Sequence, residues 1–231
     1  MQANPQPAAP DFASARFHMV ESQIRPNKVR DLRILEAMGN LPREMFVPPT
    51  HAGIAYIDED VQVMPGRYLL EPMVLARLLE EADIKAGDRV LDIAPATGYS
   101  TSVIASMAKD VVALESDPSC VQLAVKNLAN LQIKNAELQL GPLAEGWSAN
   151  APYDVILING GIEVLPSALL SQLAEGGRMM LVVRQFGPAH AAHKGEARLY
   201  EKIHGAMSHR ALFDANVKLL PGFEAKKTFT F

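Results

Sequence analysis

Short apolar runs alternate with amphipathic segments in the second half of the chain. Five runs have the length and composition of buried strands: RVLDIA (89–94), DVVALE (110–115), AELQL (136–140), YDVILIN (153–159) and GGRMMLVVRQF (176–186). Three segments between them have helical spacing: YSTSVIASMA (99–108), Pro118–Leu131 and SALLSQLA (167–174). Strands that are apolar on both faces and separated by helices indicate a parallel sheet covered on both sides.

The C-terminal pattern is different, because two strand-like segments follow each other without a helix. ARLYEKIHG (197–205) and SHRALFDANV (208–217) predict an antiparallel hairpin at the end of the sheet. The predicted fold class is therefore α/β. It is a Rossmann-like, doubly wound, mostly parallel sheet of seven strands with a C-terminal antiparallel hairpin and an N-terminal helical extension.

The first 87 residues lack this alternation. Asp31 is placed to cap a helix that stops at Gly39, and Pro72 fits the first turn of a helix that runs to about Ala82. Residues 50–71 are expected to be irregular or to form short extended segments. We expect three parts: a disordered, proline-rich tail (1–11), an extension packed on the core (12–87) and the core itself (88–231).

Composition narrows the possible functions. The net charge of -4 argues against a generic nucleic-acid binder, which needs a basic face. The single cysteine, Cys120, excludes an internal disulfide framework, fits a reducing compartment and is expected to be a small buried hydrophobe. The N-terminus does not resemble a secretory signal, and no segment has the length of a membrane span. These features predict a cytoplasmic protein that does not bind membranes.

The turn after the first strand of the sheet is the first candidate for a ligand site. In open parallel sheets, ligands bind beyond the carboxyl ends of the strands. The turn Ala94–Gly98 lies there, but alanines and Pro95 stand where glycines are usual. We expect a stiffer and narrower loop than a glycine-rich one. The hydroxyl of Thr97 and the free N–H groups of the following helix could still form hydrogen bonds with a ligand.

Two further strand ends carry polar groups. Glu115 lies close to the ~20-residue offset at which an acidic residue binds ribose hydroxyls; the alternative is a solvated acid at a strand end. Asn159 is followed by a glycine pair that is expected to be a turn. Its amide either reaches a ligand or makes a local backbone hydrogen bond.

No metal site is predicted. The six histidines are scattered along the chain, and His190 and His193 lie in a small-residue stretch expected to be a mobile loop. The complete set is His18, His51, His190, His193, His204 and His209.

Several motifs, in order and spacing, resemble those of the protein-L-isoaspartate O-methyltransferases from about Met19 to the C-terminus. They are MVESQIRP, AMGNLPREMFVPP, VLDIAPATGY, APYDVILINGGIEVLP and QLAEGGRMMLVV. The resemblance implies the S-adenosylmethionine-dependent methyltransferase fold, S-adenosyl-L-methionine as cofactor, and a protein or small molecule as methyl acceptor.

The resemblance also implies roles for single residues. The methionine part of the cofactor would lie along Asp92 and the turn, which contains Ala94, Ala96, Thr97 and Gly98. Glu115 would bind the ribose, and Pro142 and Leu143 would lie beside the adenine. Asn159 joins the predicted cofactor-binding residues because of its place at a strand end, and the resemblance does not add to that prediction.

The sequence departs from the family pattern at the acceptor side. A GQTISQP-like segment is usual there, whereas this chain has GRYLLEP (66–72), so Tyr68 and Leu70 replace a threonine and a serine. The GDG before the adenine is Gly141-Pro142-Leu143 here.

Two hypotheses follow from these departures. The first is a divergent methyltransferase with an unknown acceptor, for which Arg67, Tyr68 and Glu71 are candidate acceptor-side groups. Arg67 either holds an acidic acceptor or is a surface arginine paired with a nearby acid. The second is a non-catalytic binding or assembly protein on a methyltransferase scaffold.

Overall fold

The main element of the structure, a computed structural model that describes residues 11–184 and 195–225, is a seven-stranded sheet. Its strands lie in the order β5-β4-β3-β6-β7-β8-β9. The first five in that order are parallel, and β8 and β9 are antiparallel. The bounds are β3 Arg89–Ile93, β4 Asp110–Glu115, β5 Ala136–Leu140, β6 Tyr153–Ile162, β7 Leu173–Arg184, β8 Gly195–Ile203 and β9 Ala206–Asp214. This confirms the predicted fold class.

Six α-helices accompany the strands in the described residues: α1 Phe12–His18, α2 Leu32–Asn40, α3 Pro72–Ala82, α4 Tyr99–Ala105, α5 Pro118–Asn130 and α6 Ser167–Ser171. Asp31 caps α2, as the sequence predicts, because its carboxylate accepts the Arg33 N–H at 2.9 Å. Helix α6 is shorter than predicted, since the chain already enters β7 at Leu173. None of these helices has both the length and the apolar character needed to cross a membrane.

The N-terminal extension contains short helical turns and a small hairpin. A π-helical segment (Met19–Ile24) and 3₁₀ turns link the first two helices and follow the second. Strands β1 (Val61–Met64) and β2 (Arg67–Leu69) then form a separate two-stranded antiparallel sheet. Asp11, the last residue of the predicted tail, caps α1; residues 1–10, and the loop with His190 and His193, lie outside the described residues.

Buried apolar side chains fill both faces of the main sheet. One cluster joins the extension to one face, with Ile34 and Leu78 packed in the same core as Val155. A second cluster, which includes Leu91 and Ile156, covers the other face. Neighbouring residues of a strand therefore enter different cores, which explains why these strands are apolar throughout.

Strand β6 is longer than the sequence predicts. The glycine pair after Asn159, expected to be a turn, continues the strand, and Gly161 pairs with Val182 of β7. The Gly161 N–H also donates to the Lys218 carbonyl at 2.8 Å, which brings the chain after β9 against this strand end. A Cβ at Gly161 would lie 3.3 Å from that carbonyl and 2.6 Å from the Arg184 side chain, so the close approach needs glycine.

Candidate functional site

The carboxyl ends of β3, β4 and β6 meet at one edge of the sheet. This arrangement brings together three residues that the sequence singles out: Asp92, Glu115 and Asn159. All three side chains are buried, and the β1–β2 hairpin lies against them through Arg67. Of the predicted site residues, these form the polar centre of the edge.

Asp92 is completely buried and accepts three hydrogen bonds. One carboxylate oxygen accepts from the hydroxyls of Ser100 (2.8 Å) and Thr101 (2.6 Å), and the other accepts from the Asn159 amide at 2.6 Å. Asn159 donates a second bond to the Ile93 carbonyl at 2.9 Å. Burial raises the pKa of Asp92 to about 6, against the lowering effect of these donors. The Asn159 amide thus orients Asp92.

The turn after β3 keeps the backbone of a glycine-rich loop without most of the glycines. Ala94 and Ala96 have φ angles of 58° and 52°, in the left-handed region, and Gly98 has 94°. This conformation costs an L-residue about 1–2 kcal/mol. Both alanine methyls are buried, which offsets part of that cost. The Thr97 hydroxyl donates to the Phe46 carbonyl at 2.5 Å, so it is bound to the extension and is not available to a ligand in this conformation.

Gly98 is the position in this turn that does not tolerate a side chain. A Cβ there would lie 3.2 Å from the Cβ of Ala124, in addition to the positive φ. We expect Gly98→Ala to lower the free energy of unfolding by about 1–2 kcal/mol, measured by urea denaturation. Gly87→Ala is the matched control, because nothing lies within 4 Å of its Cβ position. Equal effects of the two substitutions would contradict the constraint on this turn.

Glu115 forms a buried ion pair with Arg67. The Arg67 Nε lies 2.8 Å from Oε1 of Glu115, and the two side chains are 6% and 0% exposed. The same oxygen accepts the backbone N–H groups of Ser116 and Asp117, and Oε2 accepts that of Ala96. Arg67 is therefore not a surface arginine, and Glu115 is not a solvated strand-end acid.

The other candidate acceptor-side residues lie next to Arg67. Tyr68 is half-buried, and Leu70, which directly follows β2, is buried. Glu71 is half-buried at the start of α3, and its pKa is raised to about 7 by burial and by the nearby carboxylates of Asp58, Asp60 and Glu59. Among the described hydrogen bonds, neither Tyr68 nor Glu71 bonds to Asp92.

The predicted adenine-side residues follow β5. The Gly141 N–H donates to the Glu115 carbonyl at 3.0 Å, which places this segment beside Glu115. Leu143 is buried in the same cluster as Leu114, and Pro142 precedes it at the surface of the fold. The structure thus brings the predicted cofactor residues to one edge.

Residues 14–212 match the family model for protein-L-isoaspartate(D-aspartate) O-methyltransferase. The chain belongs to this methyltransferase family. A relative with that name from Koribacter versatilis (strain Ellin345) is 37% identical over 179 residues, which cover 76% of this chain and 81% of the relative. Another, from Synechococcus sp. (strain JA-2-3B'a(2-13)), is 35% identical over 200 residues, covering 86% and 82%. The family predicted from the sequence motifs is confirmed.

A solved structure supports the methyltransferase fold. It is described as a protein-L-isoaspartate O-methyltransferase from Plasmodium falciparum in complex with S-adenosyl-L-homocysteine. The TM-score is 0.74 at 20% identity, with 92% of this chain and 99% of that chain covered, so the likeness is one of fold. S-adenosylmethionine, the cofactor implied by the motifs, is the methyl donor of the family.

The two spaces beside Asn159 are too small to hold such a cofactor in the observed conformation. The space between Leu70, Ala94 and Asn159 has a volume of only about 10 Å³, and a second space beside Asn159 and Leu220 is equally small. Sites for ligands of this size have roughly 300–1,000 Å³. In addition, Arg67 holds the Glu115 carboxylate, which the sequence motifs predict to bind the ribose.

No group of three His, Cys, Asp or Glu side chains with metal-binding geometry occurs in residues 11–184 and 195–225. Cys120 is buried, as expected, with its Sγ 3.4 Å from the sulfur of Met64, and burial raises the pKa of its thiol to about 12.

The Arg67–Glu115 contact is the feature of the site that sequence reasoning missed. Its one sequence signal is the replacement of the usual glutamine of GQTISQP by arginine, in the segment that the resemblance relates to the methyl acceptor.

Proposed function

We propose that the chain is a divergent S-adenosylmethionine-dependent methyltransferase whose acceptor is not an isoaspartyl carboxylate. The observation that carries the cofactor part is the arrangement of Asp92, Asn159 and Glu115. Both carboxylates are buried and held by several donors at adjoining strand ends. Such preorganised acceptors suit a ligand with hydroxyl and ammonium groups.

The acceptor part rests on residues 68–70. The family pattern has a serine hydroxyl at the position of Leu70. The Leu70 side chain, which has no hydroxyl, is buried beside Ala94 and Asn159. A leucine cannot donate a hydrogen bond to a carboxylate. Loss of such donors rejects a polar substrate strongly, because the substrate would be left unpaired in a buried site.

One observation favours a second candidate function, a non-catalytic binding or assembly protein. The Arg67–Glu115 ion pair and the filled space beside it would also be expected if the site no longer takes a cofactor. Fold membership alone does not separate the two candidates.

Binding and methyl transfer test the proposed function together. We expect calorimetry to show S-adenosylhomocysteine binding to the wild type with a dissociation constant between micromolar and millimolar, about -8 to -4 kcal/mol. Glu115→Ala is expected to abolish this binding.

Methyl transfer is tested with S-adenosylmethionine that carries a labelled methyl group. This label should not be transferred to an isoaspartyl peptide. Transfer to that peptide would refute the acceptor part of the proposal. Absence of binding, also after removal of the Arg67 side chain, would favour the non-catalytic candidate.

A further inference from the structure

We infer that Arg67 sets the cofactor affinity of this chain, because it occupies the carboxylate that a ribose would need. The inference rests on the proposed function, in which Glu115 is the ribose-binding residue. It assigns a specific effect to the arginine that replaces the usual glutamine in the segment GRYLLEP (66–72). Three properties of the site support it: the occupancy of Glu115, the anchoring of Arg67 and the position of the hairpin.

Four donors surround the Glu115 carboxylate, three of them on the same oxygen. A carboxylate has about four lone-pair positions for hydrogen bonds. Oε1 receives Arg67 Nε at 2.8 Å, Ser116 N at 2.6 Å and Asp117 N at 3.0 Å, and Oε2 receives Ala96 N at 3.3 Å. The three backbone donors belong to the turns and are fixed. Arg67 is the one side chain among these four donors, so it is the donor whose departure would expose Oε1 to a ribose hydroxyl without a change in either turn.

Arg67 is held in place by further bonds. Its Nη2 donates to the Ser116 hydroxyl at 2.6 Å, and its Nη1 donates to the Gly66 carbonyl at 3.0 Å. Because the ion pair is almost completely buried, separating its members exposes two charges to a poor environment unless water or ligand replaces the partner. A cofactor must therefore supply the free energy that displaces Arg67. The apparent affinity for the cofactor equals the affinity of molecules with a free Glu115 multiplied by the fraction of such molecules.

The hairpin that carries Arg67 is separate from the main sheet. Strands β1 and β2 pair only with each other, over four and three residues, and the pairing is interrupted by a bulge between Gln62 and Met64. Short elements outside the main sheet open at lower free energy than core strands. Movement of the hairpin would free Glu115 and enlarge the adjoining space of about 10 Å³ in one step.

Substitution of Arg67 by glutamine tests the inference directly. A glutamine side chain is long enough to stay near Glu115, but it has no charge and cannot form an ion pair with the Glu115 carboxylate. We expect Arg67→Gln to bind S-adenosylhomocysteine at least tenfold more tightly than the wild type in calorimetry. In the background of Glu115→Gln, the same change at Arg67 should alter the affinity less than threefold, because the ion pair is already broken.

The control variant is Arg178→Gln. Arg178 forms a partly buried ion pair with Asp88 at the opposite, amino-terminal edge of the sheet. Its loss should leave S-adenosylhomocysteine affinity unchanged, which separates a local effect from general loosening. The change at Arg67 should also be measured by thermal unfolding, so that an unfolded variant is recognised.

Three results would overturn the inference, and they differ in what they say about the function. Equal binding by the wild type and Arg67→Gln leaves the cofactor site intact and removes only the role of Arg67. A tenfold gain that persists without the Glu115 carboxylate shows that Arg67 acts by another route. No binding by either folded protein overturns the inference and the proposed function together.

Discussion

Arg43→Ala is expected to lower the free energy of unfolding by about 3–5 kcal/mol, the largest stability effect foreseen for this chain. Arg43 is completely buried in the extension. Its Nε donates to the Ala55 carbonyl at 2.6 Å and its Nη2 to the Leu70 carbonyl at 2.7 Å. Burial lowers the pKa of its guanidinium, whose Cζ lies 4.6 Å from the ring centre of Tyr99. Alanine would leave two buried carbonyls without donors and a cavity between them.

Urea denaturation at neutral pH measures this effect. Tyr99→Phe is the matched control, since the buried Tyr99 hydroxyl has no hydrogen-bond partner among the described residues and its loss should cost less than about 1 kcal/mol. The phenylalanine ring would keep its contact with the guanidinium. A loss of less than about 1 kcal/mol for Arg43→Ala would show that the two carbonyls find other donors.

The second large effect concerns the pH dependence of stability at Asp92. Its pKa is about 6 in the folded protein against an ordinary value of 3.8. Between these values the folded state binds a proton that the unfolded state has lost, so stability falls as pH rises from about 4 to 6. Above pH 6 the loss of stability caused by the ionised Asp92 carboxylate no longer changes with pH. A difference of about 2 between the two pKa values corresponds to about 3 kcal/mol.

Asp92→Asn removes this titration while keeping the shape of the side chain. Its amide can face the hydroxyls of Ser100 and Thr101, which then accept instead of donating, and its oxygen can still accept from Asn159. We expect the free energy of unfolding of Asp92→Asn, minus that of the wild type, to rise by about 3 kcal/mol between pH 4 and pH 7. Chemical denaturation at four or five pH values gives this difference. A constant or falling difference would mean that ionised Asp92 is not destabilised by burial.

The strands of the sheet were predictable because each is buried on both faces. AELQL and DVVALE match β5 and β4 to the residue, since turn residues or helix caps bound them on both sides. The end of β6 was not predictable in this way. A glycine pair resembles a turn in the sequence, whereas here Gly161 serves the close approach of the Lys218 carbonyl, which lies far along the chain.

The polar centre of the site was predictable in part. Asp92, Glu115 and Asn159 follow three strands that were expected to be parallel, so their meeting at one edge follows from topology. The partner of each was not predictable. Arg67 precedes Glu115 by 48 positions and belongs to a different sheet, and no local pattern links two such residues. The left-handed alanines were equally hidden, because alanine usually indicates the opposite backbone conformation.

Strand order also has a consequence for the synthesis of the chain on the ribosome. Strand β3 is hydrogen-bonded on one side to β4 and on the other to β6, and the whole of β4, α5 and β5 is translated before β6. At bacterial and eukaryotic elongation rates this interval is on the order of several seconds. During it an apolar strand has one open edge, a surface to which nascent chains and chaperones bind. Pairing of β3 on both edges must therefore await the emergence of Tyr153–Ile162.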